Sequence, residues 1–161
     1  MLKIGGIALL LPLLARDSRG APPAEYYMPT GAAAKFVSAD AHQHPQSEVV
    51  IITRAVAIKE TGPASAIAKF GEVYDFSPSF IAVRRDVPTM LTFWNLQPDD
   101  QHDVMLVAPD STVLMHQLLP PLSKRSFVLT FHRTGLYDFR CVMHQPEMNG
   151  QIEVIDSSAR N

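Results

Sequence analysis

The chain holds one cysteine, Cys141, with a histidine and a methionine close behind it. His144 follows three residues later and Met148 four after that, within the run GLYDFRCVMHQPEMNGQIEV at 135–154. Thiolate, imidazole and thioether are soft or borderline donors, and they suit a transition metal better than a hard cation that takes oxygen. A strand-like run leads into the cysteine and another follows the methionine, so one short loop between two strands carries all three. An ion cycling between Cu(I) and Cu(II) needs donors tolerable to both states. Two imidazoles and a thiolate in a trigonal plane, with a long and weak axial thioether, meet that need. Cys141, His144 and Met148 supply part of such a set, and a second imidazole must come from another strand. His102, at the end of a polar loop and the start of a strand, is best placed. The alternatives are His116 and His132, and both read as surface residues.

Taken singly these signals are weak, because a lone cysteine is usually a small buried hydrophobe. Their joint occurrence at this spacing, behind a Gly-x-Tyr-x-Phe strand and with His102 upstream, carries the metal reading. Met143 and Glu147 share the loop and read as non-ligands. Trp94, Tyr137, Phe139, Met105 and Met115 read as core packing. His42 and His44 read as solvated residues of a tail, since nothing beside them completes a coordination shell.

The elements that must position these donors belong to one domain. The 161 residues suffice for a single core, and 47% hydrophobic with 19% charged residues describes a soluble globular chain. A net charge of −2 lacks the basic excess of a nucleic-acid binder. Residues 1–20 read as a secretory signal: Lys3, an apolar run at 4–15, then small residues before a cut at Ala21. That run is about 12 residues, short of the ~20 that span a bilayer, so no stable membrane insertion is expected after its removal. The expected location is periplasmic or otherwise exported. There a single cysteine has no internal disulfide partner, and a free thiol is tolerable only when buried or bound to metal.

Residues 21–46 are rich in Ala and Pro without sustained periodicity, and read as a flexible arm; 47–156 read as the folded domain. The run at 48–59 is the first expected strand, and 64–70 a short helix ended by Gly71. From 73 to 95 the chain is β-like nearly throughout, with strands at 80–83 and 90–95 about a turn at 84–87. Strands at 102–107 and 126–131 follow, the stretch between them (113–119) being ambiguous. In the strand at 136–141, Tyr137, Phe139 and Cys141 share one face. The last strand spans 151–155. Seven or eight short strands with turns between them indicate an all-β sandwich or barrel.

The segments FSPSFIAV, LTFWN, HDVMLV, SFVLTF and GLYDFRCVMHQPEMNGQIEV together resemble the cupredoxins, the plastocyanin, amicyanin and pseudoazurin group of blue copper proteins. The pattern Gly-x-Tyr-x-Phe-x-Cys-x-x-His, then Met-x-Gly-x-Ile-x-Val, is its most specific part. The resemblance implies an antiparallel Greek-key β-sandwich with a helical insertion at 64–70. It places one mononuclear copper on His102, Cys141, His144 and Met148. It implies one-electron transfer with a transient redox protein partner, such as a cytochrome or a copper or haem enzyme, rather than catalysis. Copper binding and delivery without electron shuttling is the alternative. In this chain Asp103 follows the first histidine, where the family commonly has asparagine, and no second cysteine is present to build a dinuclear centre.

Overall fold

Alternating apolar and polar positions, rich in β-branched and aromatic residues, build about half of the described residues into strands. The structure, a computed structural model, describes residues 26–157, so the signal expected at 1–20 lies outside the described residues. In order come β1 (Val37–Ala39), β2 (Ser47–Ala57), helix α1 (Ala64–Phe70), β3 (Val73–Ser77), β4 (Phe80–Arg84) and β5 (Thr89–Trp94). After them come β6 (His102–Val107), β7 (Val113–Leu119), β8 (Lys124–Phe131), β9 (Gly135–Arg140) and β10 (Asn149–Ile155). Helix α1 matches the sequence reading and stops at Gly71, whose φ of 78° continues no right-handed helix. The ambiguous stretch at 113–119 is a strand.

The strands form two sheets, ordered β1-β8-β5-β2-β3 and β4-β10-β9-β6-β7. The sandwich is as expected, but it is not wholly antiparallel. The β2–β5 and β4–β10 pairs are parallel. β3 is the antiparallel partner of β2; the chain then visits the second sheet as β4 and returns as β5 on the other side of β2.

Inward side chains close the space between the sheets. Phe76 and Phe93 from the first sheet meet Phe139 from the second, with ring centroids 5.4 to 5.9 Å apart. Phe131 packs edge-on to Tyr137 at 5.1 Å. These edge-to-face contacts suit the ring quadrupole and add to the burial itself. Tyr137, Phe139 and Cys141 are all fully buried, so the face expected to carry the cysteine does point inward. Trp94 does not join them. It is 42% exposed at the end of β5, on the face opposite Leu91 and Phe93, with the Lys124 ammonium over its ring.

Two expectations fail for one physical reason. The stretch expected as a flexible arm holds β1, which pairs with β8 and buries Val37 completely. It also carries Tyr27, whose backbone bridges to His116 on edge strand β7. His116, expected at the surface, is therefore covered and only 6% exposed. His132 is at the surface as expected, held by Ser38 and Asp86.

Candidate metal centre

β6 and β9 are antiparallel neighbours, with Met105 opposite Arg140, so the start of β6 lies beside the end of β9. His102 opens β6 and Cys141 immediately follows β9. Sheet register alone thus brings together two residues far apart in sequence. His144 comes up from the loop that joins β9 to β10.

The donor atoms form a tight triangle. His102 Nδ1 and His144 Nδ1 are 3.1 Å apart, and Cys141 Sγ lies 3.9 Å from the first and 3.5 Å from the second. A point in the plane of such a triangle lies about 2 Å from all three atoms, the length of ordinary metal–imidazole and metal–thiolate bonds. Among the described residues, these are the His, Cys, Asp or Glu side chains grouped closely enough to hold an ion. The donor set fits a metal that accepts both nitrogen and sulfur.

Each donor is held from behind. His102 Nε2 is 3.3 Å from the side-chain oxygen of Gln97, which accepts a hydrogen bond from the ring N–H and leaves the Nδ1 lone pair facing the triangle. Gln97 is itself bonded to Thr53. Asn95 pins the loop ahead of His102 by donating from Nδ2 to the carbonyls of Asp100, Leu119 and Pro120 at 2.7, 3.2 and 3.1 Å. The buried ring of Tyr74 covers both imidazoles, at 5.0 Å from His102 and 4.7 Å from His144, and its hydroxyl donates to Asp100.

Asp103 joins the two segments. Its backbone N–H donates to Cys141 Sγ at 3.5 Å, and its Oδ1 accepts the Val142 N–H at 2.6 Å. The carboxylate therefore makes a link between β6 and the cysteine loop. Its Oδ2 is 2.8 Å from His116 Nε2.

Met148 is fully buried at the far end of the loop. Its carbonyl accepts the Cys141 N–H and its N–H donates to the His144 carbonyl, both at 3.0 Å. Gln145 Nε2 donates to the carbonyls of Cys141 and Met148, at 2.6 and 3.2 Å. The loop is thus a closed turn with both ends in β structure. Met143 is 44% exposed, its sulfur near Gln101, and Glu147 is exposed. His42 and His44 are exposed as well.

Burial sets the protonation states. It pushes the Cys141 thiol up to about 12, so a metal taking the sulfur must displace a proton. Burial, with the neighbouring His144, pulls His102 down to about 4; burial also lowers His144. Both rings stay neutral near pH 7 and keep their lone pairs for a metal.

Sequence reasoning found the triangle but missed its supports. Gln97 lies in a polar loop five residues before His102, and glutamine in such a loop carries no sign of a partner. Tyr74 reads as one more inward residue of a strand. Asp103 was visible beside His102, but its link to His116 depends on strand register.

No protein-family model matches the chain, and no curated protein does. Among solved structures, the chain is similar to dithionite-reduced auracyanin from the photosynthetic bacterium Roseiflexus castenholzii. The match has 13% identity and a TM-score of 0.50, over 70% of this chain and 99% of that one. It is also similar to auracyanin A, a "blue" copper protein of Chloroflexus aurantiacus (17% identity, TM-score 0.49, 67% of this chain and 98% of that one). A purple cupredoxin from Nitrosopumilus maritimus matches at 16% identity and a TM-score of 0.44, over 66% of this chain and 99% of that one. At such identities the likeness speaks to the fold. The chain has a cupredoxin-like β-sandwich.

Proposed function

We propose that this cupredoxin-fold chain is an exported type 1 copper protein that carries single electrons between redox partners. The observation that supports this most is the triangle of His102 Nδ1, Cys141 Sγ and His144 Nδ1, drawn from two segments and sized for one ion. Bound there, copper supplies a one-electron couple between Cu(I) and Cu(II). Met148, buried at the end of the same loop, is the axial thioether in this reading.

The chain's own residues keep the couple fast by keeping the donors still. Gln97 fixes the His102 ring, Tyr74 packs on both imidazoles, and Asp103 fastens the cysteine loop to β6. Donors held this way have little to rearrange between oxidation states. His144 is only half-buried while His102 is inaccessible, so His144 is the electron exit. Leu96, Val142 and Met143, all exposed, lie in the loops that carry the site. Such a face suits a small and transient encounter with a redox protein.

The copper-loaded protein tests this by its visible and EPR spectra. An intense thiolate-to-Cu(II) charge-transfer band with narrow copper hyperfine splitting is expected, and Cys141→Ser should abolish the band. A colourless protein that holds only Cu(I) would sink the electron-carrier reading.

A further inference from the structure

His116 is a buried imidazole to which the copper reading gives no task. It sits on edge strand β7, yet the ring of Tyr26 packs on it at 5.0 Å. Its backbone is held as well: the Tyr27 N–H donates to the His116 carbonyl at 2.8 Å, and the His116 N–H donates to the Tyr27 carbonyl at 3.0 Å. Among the described residues its Nδ1 has no partner. The polar bond of the ring is the one from Nε2 to Asp103 Oδ2, at 2.8 Å.

Register explains the meeting. Met105 lies opposite His116 and Asp103 opposite Leu118, so Asp103 and His116 are diagonal neighbours on one face of the sheet. That face is opposite the one carrying Val104 and Leu106, and the Tyr26–Tyr27 segment covers it over His116. A carboxylate only accepts hydrogen bonds, and burying one without donors is costly. Asp103 is 2% exposed. Val142 N–H serves one oxygen and His116 Nε2 the other. With both oxygens committed, the carboxylate cannot rotate away from Val142, and the Asp103 peptide keeps its N–H on the cysteine sulfur.

We propose that His116 is a positioning residue of the metal centre, holding Asp103 in the orientation that ties β6 to the Cys141 loop. This rests on the copper reading above. Hydrogen bonding around a ligating cysteine sulfur tunes a copper site's potential, and partners one step removed from a ligand orient it. His116 thereby passes the docking of the N-terminal segment on to the sulfur.

The test compares His116→Phe with His116→Gln. Phenylalanine keeps the ring volume under Tyr26 but has no N–H, whereas glutamine can still donate to Asp103. His116→Phe should move both the reduction potential and the energy of the thiolate-to-copper band, and His116→Gln should recover most of each shift. In the metal-free protein, His116→Phe should speed Val142 amide exchange by roughly tenfold or more, the loss of about one hydrogen bond. A folded His116→Phe protein with a lower Tm but unchanged potential, band and exchange overturns the proposal. The unmodified protein decides the matter even if that variant does not fold: a Val142 amide exchanging as fast as open-loop amides overturns it too. An unmodified copper-loaded protein without the thiolate band instead removes the copper reading, and this inference with it, before any substitution is compared.

Discussion

At the scale of single residues, the proposed copper reading asks one donor set to serve two oxidation states, and each donor would contribute differently. In that reading Cys141 and the two imidazoles supply the plane, and Met148 would supply weak axial donation that favours the higher charge of Cu(II). Replacing it by leucine keeps the buried volume and removes the sulfur. Met148→Leu should therefore retain copper and raise the potential. The rise should be on the order of a tenfold change in the couple's equilibrium, about 59 mV for one electron. Voltammetry of the two proteins side by side measures it, and an unchanged or lowered potential would remove Met148 from the coordination shell. The residues that proved legible are those whose chemistry is rare: the one cysteine, and the histidine three residues beyond it. Gln97, Tyr74 and His116 are ordinary types whose roles come from neighbours distant in sequence, so composition and spacing carried no trace of them. Trp94 failed for a related reason, because its large apolar ring found a lysine to cover it instead of a core.

Strands and loops set how closely these residues can approach. Gly150, second in β10, lies opposite Phe139 of β9. A Cβ there would overlap the Phe139 ring and fall 2.7 Å from the Ser79 carbonyl oxygen. Phe139 shares the inward face with Cys141 and packs on Phe76 and Phe93, so its ring has nowhere to retreat. Gly150→Ala should destabilise the fold by about 1–3 kcal/mol, the usual range for overpacking a close-packed core. Urea unfolding would show this as a lower midpoint at unchanged slope, and a loss under ~0.5 kcal/mol would mean the ring yields freely. Strands long enough to show alternation were readable: β8 and β9 carry their buried residues where the pattern put them. β1 was not, because three residues hold barely one period of two, and its strand character comes from pairing with β8. The same stretch then supplies the cover on β7, so one misread arm also misplaced His116.

For the whole molecule, the question is how far the sandwich depends on the metal. Its core is drawn from both sheets and includes Val37 from the segment that looked detachable. Val37→Ala should cost roughly 2 kcal/mol, the loss of two buried methyl groups with a small cavity, and thermal melting would register it. A change within error would return 26–46 to the status of a loose arm. The site is fastened to this core by protein–protein bonds throughout: Gln97 to His102, Asp103 to Val142, Cys141 to Met148. None of these needs the ion to form, unlike the ligand set of a small zinc domain that is unfolded without its metal. The metal-free chain should therefore keep its strand content by far-UV circular dichroism and melt in one cooperative transition. Copper should raise the melting temperature without changing the spectrum's shape, as binding to the folded state alone requires. A metal-free chain with a coil-like spectrum would show that the metal organises the sandwich rather than settling into it. The low rearrangement on which rapid electron exchange depends would then have no source in the fold.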